Sequence, residues 1–329
     1  MRAPSFWWKP NGGALLGPLG GVYGAAAWLR LQRGGYSAGI PVICLGNLTV
    51  GGAGKTPAAL LAARLLLAAH RRPFFLSRGY GGRLRGPALV NPSVHRAADV
   101  GDEPLLLARL APTIVSRDRF AGAEAARFGG ANVLVMDDGF QNPSLKKDFS
   151  VLVVDGRRGI GNGRIIPAGP LRAPLGTQIA RAQALIVVGP AGASAALIEE
   201  GARSHGLAIF RGRLEPDRRT LAVLVGQKVL AFAGIADPEK FFATIEEAGI
   251  AIAARRQFAD HHQYSAADAK DLLAHAQAQN LMLLTTEKDH VRLRGAPQLD
   301  ALAIRASALP VRLVIEQEEL FRQMLLKVA

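Results

Sequence analysis

Seven consecutive residues carry the plainest chemistry in this chain: Gly51-Gly52-Ala53-Gly54-Lys55-Thr56-Pro57. An apolar run from Val42 to Gly46 precedes them, and an Ala- and Leu-rich stretch from Ala58 to Ala69 reads as the helix that follows. Strand, glycine loop with Gly-Lys-Thr, then helix is the pattern of a phosphate-binding loop. Its glycines let backbone N–H groups turn toward a phosphate, and the helix start adds unpaired donors and a positive dipole end. Residues Thr49, Val50, Gly51, Gly52, Ala53, Gly54, Lys55, Thr56 and Pro57 are therefore the expected nucleotide-binding segment. Lys55 is expected on the β- and γ-phosphates and Thr56 on magnesium. Two positions depart from related loops. Thr49 stands where the strict motif has Gly, and Val50 stands where partitioning ATPases carry a signature Lys.

A second apolar run, Ala131 to Met136, ends in Asp137-Asp138-Gly139-Phe140-Gln141. A buried parallel strand that ends in acids is how such proteins present carboxylate to magnesium. The acceptor side of a phosphoryl transfer also needs a group to orient or deprotonate a hydroxyl. Asp102, in Gly101-Asp102-Glu103-Pro104, and His261, in Asp260-His261-His262, are the candidates. A carboxylate holding an imidazole is a recurrent orienting arrangement. Adjacent histidines in an extended segment point different ways, so His261 and His262 are not expected to share a metal.

Elements must bring these residues together. Short apolar strands alternating with helices predict a doubly wound α/β fold with a mostly parallel sheet, of the P-loop NTPase kind. The expected organisation is an apolar N-terminal segment (1–33), a P-loop kinase domain (34–208), a two-stranded linker (209–227) and a smaller α/β domain (228–329). The linker strands are expected at Phe210–Leu214 and Leu221–Val225, and one last strand at Leu309–Ile315. The charged run Thr286-Glu287-Lys288-Asp289 resembles base-reading loops of other P-loop proteins, but reads equally as a solvated cluster and is assigned no catalytic role.

The 329 residues suffice for two domains, and the net charge of +14 suits an anionic partner. A lone cysteine, Cys44, excludes an internal disulfide or a cysteine metal cluster. From Gly12 to Leu29 there is no charge, and Phe6, Trp7 and Trp8 stand ahead of that stretch. Six glycines dilute it, so it reads as lying in a membrane interface rather than crossing. Basic runs interleaved with aromatics are missing, so no nucleic-acid partner is expected.

These motifs, with Asn47, Ser77-Arg78-Gly79-Tyr80, Pro167-Ala168-Gly169-Pro170-Leu171-Arg172, Phe258-Ala259-Asp260-His261 and Thr286-Glu287-Lys288-Asp289, occur in one order over nearly the whole chain. In that order they closely resemble the tetraacyldisaccharide 4′-kinase family. The resemblance implies an enzyme at the cytoplasmic face of the inner membrane, held through residues 1–33, with no obligate protein partner. It implies transfer of the ATP γ-phosphoryl to the 4′-hydroxyl of a lipid A disaccharide precursor, giving lipid IVA. It implies Asp102 and His261 as the acceptor-activating pair, with Lys55 on the nucleotide. Thr56, Asp137 and Asp138 would serve Mg2+. Asn47, Arg78, Tyr80, Glu103, Arg119, Gln141 and Arg172 would line the headgroup site. Ala173 departs from relatives that carry an acid after this Arg. The alternative reading is a P-loop ATPase switch acting at a membrane or on nucleic acid.

Overall fold

The computed structural model describes residues 4–329. The first three residues of the expected membrane segment lie outside that range. Among the described residues, thirteen strands form two sheets. In chain order they are β1 (Val42–Gly46), β2 (Pro73–Ser77), β3 (Ala88–Leu89), β4 (Thr113–Val115), β5 (Val133–Asp137), β6 (Phe149–Asp155) and β7 (Ala184–Val188), followed by β8 (Ala208–Pro216), β9 (Lys228–Ala233), β10 (Ala251–Gln257), β11 (Met282–Thr286), β12 (Ala306–Leu309) and β13 (Val311–Ile315). The larger sheet has the order β13-β8-β7-β6-β1-β5-β2-β4-β3, and the smaller β10-β9-β11-β12. All pairings are parallel except the two at the ends of the large sheet, β3 with β4 and β13 with β8.

Strand β1 shows why the large sheet is buried on both faces. Successive side chains of a strand point to opposite sides. Val42 and Cys44 enter one core cluster, and Ile43 and Leu45 the other. Burial pushes the Cys44 thiol up to about 11, so it is an inert core residue. Strand β1 pairs in parallel with both β5 and β6, which places its carboxyl end at a switch in strand order. Ligands of open α/β sheets bind in the crevice such a switch opens.

The structure corrects the expected path between the sheets. Leu221–Val225 is not a strand. Residues Arg218–Leu224 form a helix, whose N-cap Asp217 accepts a hydrogen bond from Thr220 N at 2.8 Å. The expected last strand, 309–315, is two strands interrupted at Pro310. Proline lacks the N–H that a continuing ladder needs. There β12 leaves the small sheet, and β13 returns to the large sheet antiparallel to β8. The two-stranded connection is thus β8 with β13, and residues 311–329 pack on the large sheet. There Phe321 and Leu325 of the last helix join its core.

The N-terminal segment is also not uniformly interfacial. Trp7 is buried, and its Nε1 donates to Pro167 O at 2.9 Å. Trp8 lies beneath the Arg158 guanidinium. Both tryptophans therefore contact the protein. Helix α1 (Gly17–Leu31) follows. Gly20 and Gly24 let it approach closely, since a Cβ on Gly24 would stand 2.7 Å from Ile165 Cδ1. Its other side exposes Leu19, Val22, Tyr23, Trp28 and Leu29. Among the described residues, no helix is long and apolar enough to cross a membrane.

Candidate active site

The glycine loop leaves β1 at Gly46, where a Cβ would lie 2.3 Å from Phe140 Cβ. Helix α2 (Lys55–Ala68) begins three residues before the expected start, directly at the Lys-Thr pair. Gly54 caps it with φ +88°, a conformation that favours glycine. Lys55 and Thr56 are thereby held on the first turn, and both are buried. Around them Val50 N donates to Pro170 O at 2.9 Å, and Asn47 Nδ2 donates to Gly51 O at 3.1 Å. Gly51 has φ +117°, and a Cβ on Gly52 would face Ala236 of the smaller unit at 3.8 Å. Thr49 and Ala53 are buried, and Pro57 lies on the first turn of α2.

Asp137 ends β5, Asp138 follows it, and the two side chains diverge. Asp137 is buried, and its Oδ2 accepts from Thr56 Oγ1 at 3.4 Å. Its Oδ1 has no partner. Burial, reinforced by the nearby Glu103 charge and opposed by Lys55, pushes this carboxyl up to about 7. Asp138 has a left-handed backbone, φ +55°, that turns it the other way. Burial opposes its charge, but Lys55 at 3.7 Å and Arg172 at 2.8 Å outweigh it and hold the carboxyl below its ordinary value. A buried hydroxyl, an unpartnered carboxylate oxygen and a destabilised carboxylate suit a hard divalent cation with oxygen ligands.

Arg172 also donates from Nε to Thr49 O at 3.2 Å and from Nη1 to Gln141 Oε1 at 3.4 Å. Gln141 Nε2 donates to Asn47 O at 2.8 Å. Asn47, Gln141 and Arg172 thus form one network behind the loop, although they are far apart in sequence. Asn47 is fully buried and its Oδ1 has no partner. Ala173 is buried, and its carbonyl accepts from Gln178 Nε2 at 2.8 Å. Arg119 is buried, with Nη1 on Ser116 O at 2.8 Å and Nε unpartnered. Burial lowers its pKa to about 10. Arg78 and Tyr80 are exposed, and the Tyr80 ring centroid lies 5.0 Å from that of His261.

The other side of the crevice joins the two units. Asp102 opens a short helix (Asp102–Leu107) packed on the large sheet, and His261 sits in the loop after β10 with φ +56°. His261 Nδ1 lies 3.4 Å from Asp102 Oδ2. Burial works against the Asp102 charge, but His261, Arg292 and Lys288 together hold this carboxyl far below the usual carboxylate range. His262 turns away, stacking on Phe258 and meeting Asp268 at 3.1 Å. Among the described residues, no group of three or more His, Cys, Asp or Glu is placed to hold a metal.

The sequence reading assigned nothing to Lys288, Asp289 or Arg292. Thr286 N-caps a helix (Glu287–Leu293), accepting from Asp289 N, so the charged run is a helix start and not a solvated loop. Lys288 Nζ meets Glu103 Oε1 at 2.6 Å. Arg292 Nε donates to Asp102 Oδ2 at 2.9 Å. The Lys288–Arg292 spacing of four was the one available signal, because it puts both cations on one helix face.

Comparison with known proteins adds to this geometry. The family model for LpxK, tetraacyldisaccharide-1-P 4′-kinase, matches residues 13–329. A tetraacyldisaccharide 4′-kinase of Nitrobacter winogradskyi is 50% identical over 99% of this chain and 97% of its own. One from Methylobacterium sp. is 53% identical over 94% of each chain. The crystal structure of LpxK from Aquifex aeolicus in complex with ATP superposes with a TM-score of 0.75 at 27% identity, covering 96% of this chain and 99% of that one.

Proposed function

The chain belongs to the LpxK family of tetraacyldisaccharide-1-P 4′-kinases, and from that premise we propose how its residues divide the work. The reaction is transfer of the γ-phosphoryl of ATP to the 4′-hydroxyl of tetraacyldisaccharide 1-phosphate, forming lipid IVA. The same membership sets aside the ATPase-switch reading.

Backbone N–H groups from Gly51 to Thr56 cradle the triphosphate, and Lys55 places its ammonium on the β- and γ-phosphates. Thr56 and Asp137 would hold Mg2+, together with Asp138. The unpartnered Asp137 Oδ1 supports that assignment. When bound, the ion neutralises charge on the β- and γ-phosphate oxygens. Arg172, paired with Asp138, is assigned to the headgroup site. Asn47, Glu103, Arg119 and Gln141 line the same crevice, with Arg78 and Tyr80 at its mouth.

Asp102 keeps its charge and holds the Nδ1–H of His261, which leaves Nε2 to accept the proton of the 4′-hydroxyl. The sugar oxygen then bonds to the γ-phosphorus as the bond to the β–γ bridging oxygen breaks, releasing ADP. The 3.4 Å approach of His261 to Asp102, across two units, is the observation that carries this reading. The smaller unit acts as a second domain. Its His261 loop completes the site beside Asp102 and excludes water from the phosphoryl group.

Helix α1 places its exposed apolar side in the cytoplasmic leaflet of the inner membrane, where acylated substrate resides. The decisive experiment is incubation with γ-labelled ATP and the disaccharide 1-phosphate lipid. The expected product carries a second phosphate at the 4′ position. Label recovered only as inorganic phosphate would refute the proposal.

A further inference from the structure

Asp102 and His261 come from different units, and neither holds the other alone. Helix Glu287–Leu293 lies against helix Asp102–Leu107 and presents Lys288 and Arg292 from one face. Two neighbouring acids of one unit, Asp102 and Glu103, thus meet two cations of the other. The Arg292–Asp102 pair is the more deeply buried, with both side chains only 3% exposed.

We propose that Arg292 is the positioning residue that assembles Asp102 and His261 into a single acceptor-activating pair. This rests on the reading of that pair given above. The guanidinium has a partner for each of its nitrogens. Nε and Nη2 both donate to Asp102 Oδ2, while Oδ1 accepts from the Glu103 backbone N–H at 2.9 Å, so both carboxylate oxygens are held. Nη1 donates to Gly234 O at 2.7 Å and to Asp289 Oδ1 at 2.9 Å. Gly234 O also accepts from the backbone N–H of His261 at 3.0 Å. One side chain therefore grips the carboxylate directly and the histidine loop through a shared carbonyl.

Arg292 is itself held from behind. Asp289 Oδ1 accepts from Gly234 N at 3.0 Å and from Tyr264 Oη at 2.9 Å, and Thr286 Oγ1 meets its Oδ2 at 2.6 Å. A buried acid with this many donors is a rigid anchor. A planar, permanently charged fork suits the task better than an ammonium would.

The charged and titratable neighbours are few. Asp102 faces Arg292, His261 and Lys288. His261 faces Asp102, Asp260 at 3.9 Å and Arg292 Nη2 at 3.5 Å, with the Tyr80 ring alongside. Removing Arg292 leaves a buried carboxylate with less compensation, and its pKa must rise.

The test compares kcat and its pH profile in Arg292→Gln, Arg292→Lys, Asp102→Asn and the Asp102→Asn/Arg292→Gln double variant, with His261→Ala as reference. Arg292→Gln is expected to lower kcat about 100-fold, in the range of lost acid–base catalysis. KM for ATP should stay within about threefold, and the acidic limb of kcat should move to higher pH. In the Asp102→Asn background the same change should cost nothing more, since residues acting as a unit are not additive. If Arg292→Gln does not fold, Arg292→Lys decides: it keeps the charge but loses the bond to Gly234 O or to Asp102, so kcat should fall by a smaller factor with the acidic limb nearly unmoved. A folded Arg292 variant with wild-type kcat and limb overturns the proposal, as does an additive double variant. Wild-type rates in Asp102→Asn and His261→Ala would instead remove the pair on which it depends.

Discussion

Two adjacent aspartates show how much the surroundings of a residue decide. Asp137 and Asp138 share a motif, yet one is pushed up to about 7 by burial and the other is held low by Lys55 and Arg172 despite burial. An acid whose folded pKa exceeds its unfolded value binds extra protons when folded. Asp137 therefore subtracts stability as pH rises from about 4 through about 7. In magnesium-free buffer Asp137→Asn is expected to raise Tm more at pH 8 than at pH 5, and in assays with magnesium present it is expected to abolish transfer. Equal Tm differences at the two pH values would contradict this. The acceptor side makes a kinetic prediction. Asp102→Asn and His261→Ala should each reduce kcat by about 10²–10⁴ in single-turnover assays, the range of a lost acid–base group. Ordinary rates in either would remove that residue from the proton path.

Among elements, helix α1 has one face packed on the protein and another that is apolar and exposed. Its glycines press on Ile165, while Leu19 and Val22 stand in the open, with Val22 73% exposed. Exposed apolar residues cost little to replace, within about 0.5 kcal/mol in the usual case. Leu19→Ser with Val22→Ser should leave Tm nearly unchanged and reduce flotation with anionic liposomes. Undiminished flotation would show that α1 is not the membrane-facing element. Gly24→Leu should instead destabilise, since the space it needs belongs to Ile165. The composition of this segment made its lack of charge legible. It did not reveal that residues 5–13 fold back onto the loop ending at Pro170, because Trp7 finds its acceptor 160 positions away.

At the scale of the molecule, both sides of the crevice are bridged by charge. On one, Asp102 and Glu103 meet Arg292 and Lys288. On the other, Lys240 meets Asp155 at 2.5 Å, and Arg157 and Arg158 meet Asp237. Charges paired across a junction favour one relative orientation of the two units. The contact of His261 with Asp102 crosses the same junction, so on the proposed assignment of that pair ATP hydrolysis without lipid is expected to run on the order of 100-fold or more below transfer, the scale of misaligned reacting groups. A lipid-independent rate equal to transfer would count against assembly of the pair as a gate.

The sequence alone determined the triphosphate loop, the strand ending in Asp137 and the mostly parallel α/β class. Each is written in a contiguous stretch whose periodicity and residue types carry their own chemistry. The order of motifs likewise pointed to the family. The tertiary structure alone decided that Pro310 sends the chain back to the large sheet and that the charged run after β11 is a helix start. It also decided that Arg292 closes on Asp102, 190 positions away. Such pairings follow from how two units pack, and nothing local to Arg292 states which buried acid it will meet. What joins the glycine loop to its acceptor chemistry is therefore a property of the folded molecule, because the free energy of a buried ion pair depends on the geometry and desolvation of both partners at once.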